Sequence, residues 1–146
     1  MYENILIPVD GSEVSNSAAR QGFELASRLG SKVTLLYAVD TAILTAPGAE
    51  SAMANVDAMR ESLMEQAEKL MASLKGTAAA MGVEPGIIIA EGNVPDEILR
   101  IAHERGADLI VMGTHGRRGL NRLLLGSVAE SVSRKSHCAV LLIRPS

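Results

Sequence analysis

Five short apolar runs punctuate the chain: Ile5 to Val9, Val33 to Val39, Ile87 to Ala90, Leu109 to Met112 and Ala139 to Ile143. Each has the length of a β-strand and is mostly continuous in aliphatic residues rather than alternating apolar with polar. A strand covered on one face alternates, so continuous runs predict strands covered on both faces, as in a parallel sheet between helices. The stretches between them carry the helical period. From Ser15 to Leu29, Ala18, Ala19, Gly22, Phe23, Ala26 and Leu29 form a small apolar stripe, and Gly30 supplies a stop. A long second helix is predicted by Met53, Val56, Met59, Leu63, Ala67, Leu70, Leu74 and Met81, with Arg, Glu and Lys on the other face. Core packing is the expected role of its methionines. Asn93 is placed to cap a third helix with Pro95 in its first turn, where a missing N–H does no harm, and Gly106 ends it. A fourth is expected from about Ser127 to Lys135, opened by Ser127-Val128-Ala129-Glu130, which has the spacing of a capping box.

Strands alternating with helices, joined by connections long enough for right-handed crossovers, predict a doubly wound, three-layer α/β/α sandwich with a five-stranded parallel sheet. A chain of 146 residues fits one such domain. In these sheets ligands bind outside the carboxyl ends of the strands, where the winding direction reverses. The irregular stretch from Asp40 to Ala49, with Pro47 and Gly48, is a candidate flap beside that crevice.

Composition narrows the partners. Lys plus Arg number 14 against 17 Asp plus Glu, so no global basic field exists to hold a nucleic-acid backbone, and only a local basic patch could bind phosphate. No apolar run approaches the ~20 residues of a membrane-spanning helix. The single Cys138 cannot form an intramolecular disulfide, and with three scattered histidines it suggests no zinc site. A cytoplasmic location is the natural expectation.

The informative segment follows the fourth strand, where Gly113, Gly116, Gly119 and Gly126 fall within fourteen residues. Glycine tolerates positive φ and lets backbone N–H groups approach an anion, while the amino end of the next helix adds roughly half a positive charge. Arg117, Arg118 and Arg122 could add charge-assisted hydrogen bonds to phosphate oxygens, and the Ser127 hydroxyl sits at the helix start. Set against this, glycine-rich turns are often only turns, Ser127 with Glu130 is a sufficient cap in itself, and the Glu130 carboxylate would repel a phosphate unless it turned away. Asp10, just beyond the first strand, reads either as a polar group near a ribose or a metal-bridged phosphate, or as a turn former. Asp40, which ends the second strand, reads either as a functional group at the crevice or as the start of the irregular connection, and His115 either as a phosphate contact or as a solvated loop side chain.

The spacing of Gly113, two residues, Gly116, nine residues, Gly126 and Ser127 resembles the G-x2-G-x9-G-[ST] motif of the nucleotide-binding universal stress proteins. Ile5 to Ser12, Asp40 after Tyr37-Ala38-Val39, Ala107 to Gly113 and the terminal Cys138 to Ile143 look similar in kind, so the likeness spans essentially residues 1–146 as one nucleotide-binding domain. The resemblance implies a sheet of order 3-2-1-4-5 with ATP across the ends of the first, second and fourth strands. It also implies a homodimer made largely through the last strand, Ala139 to Ile143, whose edge is too apolar to leave uncovered. By motif, Pro8, Val9, Asp10 and Val39 would border adenine and ribose. Met112, Gly113, Gly116, Gly126, Ser127 and Val128 would hold ribose and phosphates, and Mg²⁺ or Mn²⁺ would accompany the phosphates.

Three functions compete: an ATP-binding regulatory or stress-response switch, a slow Mg²⁺- or Mn²⁺-dependent ATPase, and an interaction protein with an empty pocket. The intact glycine and serine spacing favours the first over the third, and no residue declares itself as the base a hydrolase needs. Gly113-x2-Gly116 is neither a dinucleotide fingerprint nor a Walker A motif, and no Gly-Lys-Ser or Gly-Lys-Thr occurs. A phospho-acceptor domain would need an acidic cluster and a lysine after the last strand, where this chain has Arg144-Pro145.

Overall fold

The computed structural model describes residues 1–42, 44, 53–116 and 124–145, without the side chains of 53 and 54. Its strands are β1 (Asn4–Val9), β2 (Lys32–Asp40), β3 (Gly86–Gly92), β4 (Leu109–Gly113) and β5 (Ala139–Ile143); its helices are α1 (Glu13–Leu29), α2 (Met53–Ala80), α3 (Val94–Glu104) and α4 (Ser127–Lys135). All strand pairs are parallel, and their order is β3-β2-β1-β4-β5. This is the expected doubly wound single α/β domain.

Both faces of β1 are buried, which is why its apolar run does not alternate. Ile5, Ile7 and Val9 join one core with Phe23 of α1 and Met71 and Leu74 of α2. Leu6 joins the other, with Ile98 and Ile101 of α3 and Ala129 and Val132 of α4. The two cores on opposite faces of one sheet make the three layers. Winding reverses where β1 and β4 lie side by side, and their carboxyl ends diverge there.

Helix starts depart from expectation in two places. Ser12 caps α1 by accepting from the Ser15 N–H at 3.2 Å, so the helix begins earlier than Ser15. In α4 the cap position is held by Gly126, which offers no side chain, and Ser127 is already helical. The capping box is therefore absent: Ser127 stands one position too late to reach back over the first turn, and Glu130 instead pairs with Arg134 at 3.3 Å. At α3 the expectation holds, with Asn93 Oδ1 accepting from the Asp96 N–H at 3.1 Å and Pro95 in the first turn.

The long helix uses its methionines unevenly. Met71 is buried and Met64 and Met81 pack against the core, as core packing predicts, but Met59 is 42% exposed because the first turns of α2 run past the sheet. At the start of β1, the Asp108 carboxylate accepts from the Glu3 and Asn4 N–H groups at 2.9 and 3.0 Å. Those backbone donors, the Asn4 N–H foremost, hold its carboxyl below the ordinary carboxylate range. Among the described residues, no helix is long and apolar enough to cross a membrane.

Candidate functional site

A crevice of about 730 Å³ opens at the carboxyl ends of β1, β2 and β4. Pro8, Val9 and Asp10 enter it from β1 and its end, Val39 and Asp40 from β2, and Met112 and Gly113 from β4. Gly116 follows on the loop, and Gly126, Ser127 and Val128 come from the start of α4. Every site residue expected from sequence therefore meets in one cavity, except Arg117 and Arg118, which lie outside the described residues together with Arg122 and most of the expected flap. Sequence reasoning passed over Leu63 of α2, the Asn93-Val94-Pro95 start of α3, and Leu124 and Leu125, which also line the crevice. The α3 start was legible in principle, since it follows β3 at the same end of the sheet.

The polar groups of β1's end hold one another. Asp10 Oδ1 accepts from the Ser12 N–H at 2.9 Å, and the Asp10 N–H donates to Ser15 Oγ at the same distance. These bonds make Asp10 both a turn former and a crevice residue, so the two readings of it are compatible. Asp40 likewise accepts from the Ala42 N–H at 2.9 Å while lining the cavity.

The glycines use only one of the two properties their type suggested. None of Gly113, Gly116 and Gly126 has positive φ; that conformation belongs to Gly11, Gly30, Gly82, Gly92 and Gly106. They are needed for closeness. A Cβ on Gly126 would lie 2.8 Å from the Thr114 carbonyl oxygen and 3.2 Å from His115 Cα, both backbone atoms that cannot swing aside. One on Gly116 would lie 2.7 Å from Asp10 Oδ2, and one on Gly113 2.6 Å from Val14 Cγ1. The spacing thus brings the β4–α4 connection flat against β1's end and α1.

Thr114 anchors that connection. It is buried, its N–H donates to the Ile143 carbonyl at 2.9 Å, and its carbonyl accepts from the Gly126 N–H at 2.8 Å. Its Oγ1 lies 2.8 Å from His115 Nδ1, while His115 Nε2 meets the Leu124 carbonyl. With Gly126 at the cap, no side chain among the described residues caps the first N–H groups of α4, which lie at the crevice with the positive end of the helix dipole. Such an end takes an anion.

Residues 1–144 match the model of the universal stress protein family. The chain belongs to that family. Universal stress protein MJ0531 of Methanocaldococcus jannaschii is 38% identical over 144 residues, covering 99% of this chain and 83% of the relative. The solved structure of MJ0577, from the same organism, superposes with a TM-score of 0.87 at 32% identity, covering 100% of this chain and 98% of the other. Two more distant members share the fold. One is a universal stress protein in complex with cAMP, with a TM-score of 0.73 at 24% identity and coverage of 99% and 98%. The other is from Archaeoglobus fulgidus in complex with dAMP, with a TM-score of 0.72 at 23% identity and coverage of 98% of each chain.

Proposed function

We propose that this universal stress protein binds an adenine nucleotide, ATP in the first instance, in the crevice at the carboxyl ends of β1, β2 and β4, and acts as a regulatory switch. The observation that carries this reading is the uncapped start of α4. Three described helices begin at this end of the sheet after a capping residue; α1 and α3 are capped by Ser12 and Asn93, and α4 by no side chain. Phosphate oxygens would accept from its N–H groups, with Gly113 and Gly116 on the adjoining loop and the Ser127 hydroxyl as a further donor. Pro8, Val9, Asp10 and Val39 would border the adenine and ribose, with Met112 and Val128 walling the ribose side. Arg117 and Arg118 would add charge to the phosphates. The cAMP and dAMP complexes of distant family members support an adenine-bearing ligand.

Among the described residues no three His, Cys, Asp or Glu side chains converge on a point. A Mg²⁺ or Mn²⁺ ion would therefore ride chiefly on the phosphate oxygens, with the Asp10 carboxylate, beside Gly116, placed to help; its chemistry would be charge neutralisation. As a switch, the protein must bind nucleotide more tightly in one conformation than in another, and its partners must read the difference. Pairing of two copies through β5, where Leu141 is exposed at the sheet edge, is part of the same proposal.

Calorimetric titration of MgATP into the wild type and into a folded Gly113→Val, Gly126→Val double variant tests the site. Binding to the wild type that the variant loses is the expected result. Absence of wild-type binding would overturn the nucleotide reading.

A further inference from the structure

His115 has more to do than touch a ligand. Its ring spans the mouth of the β4–α4 connection, with Nδ1 at Thr114 Oγ1, 2.8 Å away, and Nε2 at the Leu124 carbonyl. A carbonyl oxygen only accepts, so Nε2 carries the hydrogen. In the neutral ring Nδ1 is then the acceptor, and the Thr114 hydroxyl donates to it. One side chain thereby joins the residue that leaves β4 to the residue two before the α4 cap. A second bond closes the same gap: the Gly126 N–H donates to the Thr114 carbonyl at 2.8 Å. Thr114 is itself immobile, buried and tied to the end of β5 through its N–H.

From these contacts we infer that His115 is a positioning residue, a clasp that closes the base of the glycine loop and fixes the phosphate-binding end of α4 before nucleotide arrives. The inference rests on the nucleotide reading above. An α4 start already held in place gives up less freedom on binding, so the clasp raises affinity by positioning, although His115 itself lines the crevice. Its benefit falls chiefly on the phosphates, because in the nucleotide reading the adenine borders β1 and β2, away from the clasp, and the ribose meets β4 and α4 only through Met112 and Val128.

The test compares MgATP with adenosine by calorimetry in the wild type, His115→Ala, His115→Gln, Thr114→Val and the Thr114→Val, His115→Ala pair, each checked for a native near-ultraviolet spectrum. Two modest hydrogen bonds set the scale, so His115→Ala should weaken ATP about tenfold and adenosine by less than about twofold. His115→Gln should recover part of the loss, because its amide N–H can reach the Leu124 carbonyl. Thr114→Val should cost less than His115→Ala, and the double variant no more than His115→Ala, since both changes cut one chain of contacts. Should His115→Ala not fold, the glutamine and valine variants carry the same comparison. Equal ATP affinity in the wild type and the variants would overturn the clasp while leaving the nucleotide site intact. Equal losses for ATP and adenosine would reduce His115 to a general structural part and overturn it too. A wild type that binds neither ligand would remove the nucleotide reading and the clasp together.

Discussion

The starts of α3 and α4 stand on the same crevice, each one connection beyond the carboxyl end of a strand, and they meet the same physical need in opposite ways. Every α-helix begins with N–H groups that have no intrahelical acceptor. At α3 the chain supplies the acceptor itself, through Asn93 Oδ1, and adds Asp96 and Glu97 in the first turn. At α4 the cap is a glycine, the first acidic residue is Glu130, and that carboxylate is drawn along the helix to Arg134. A self-capped terminus contributes stability to the free protein. One that starts from a glycine forgoes only about a few tenths of a kcal/mol of it and leaves the same donors for an anion from outside. On the proposed nucleotide reading, the difference would put phosphate against α4 and the uncharged or hydroxyl-bearing part of the ligand toward β2 and α3.

The largest effect should come from giving α4 an acid of its own. Ser127→Asp places a carboxylate on an exposed position in the first turn, so it should raise stability by about 0.3 to 1 kcal/mol through the dipole. The same charge should weaken MgATP about tenfold by repulsion, one decade corresponding to about 1.4 kcal/mol. Opposite signs in denaturation and calorimetry are the expected outcome; ATP binding unchanged by the new carboxylate would separate the phosphate from α4. Next in size, Asn93→Ala should cost about 1 kcal/mol of unfolding free energy in urea, because the α3 donor it satisfies would then face solvent. No loss there would mean that the side-chain cap contributes nothing, and the contrast between the two helices would collapse.

The smallest effect concerns a third answer to the same need. The Asp108 carboxylate takes the Glu3 and Asn4 N–H groups at the start of β1, doing within the chain what a phosphate would do at α4. Its folded-state pKa is lowered, so its contribution is complete above the ordinary carboxylate range and is lost as pH falls through the lower folded value. Urea midpoints of the wild type should therefore fall on acidification through that window, and Asp108→Asn should flatten part of the decline. A variant with an unaltered acid slope would remove Asp108 from the linkage.

How much of this was legible beforehand follows from the range of the interactions involved. Strand and helix identities rest on local period, and β1 to β5 appear where continuous apolar runs stand, each within a few residues of its run. The order 3-2-1-4-5 depends on contacts between distant segments, and it was reached through family likeness rather than through the residues themselves. The bounds of α4 match the expectation, but its cap was misread because Ser127 and Glu130 have capping-box spacing, whereas only backbone geometry decides which residue is the last non-helical one. Of the two reasons for expecting glycines in this loop, positive φ does not hold at Gly113, Gly116 or Gly126. The determining fact at Gly126 is a carbonyl oxygen 2.8 Å from where a Cβ would be, a contact between residues twelve apart. The cavity collected the motif residues at β1, β2, β4 and α4, yet Leu124, Leu125 and Leu63 carried no signal, since an apolar residue in a loop or on a helix looks the same whether it lines a crevice or a core.

The Thr114 N–H bond to the Ile143 carbonyl, 2.9 Å long, ties the foundation of the glycine loop to the last residue of an edge strand. Ile143 lies four residues beyond Ala139, on the strand through which a second copy would pair, so any sideways displacement of that strand is delivered to Thr114 as a pull on its backbone. Thermodynamic reciprocity then applies in both directions: whatever pairing at the edge does to the loop, occupancy of the loop does to pairing, by the same factor. With pairing at β5 and nucleotide in the crevice, as proposed, this one hydrogen bond would make the outermost strand a lever on the site.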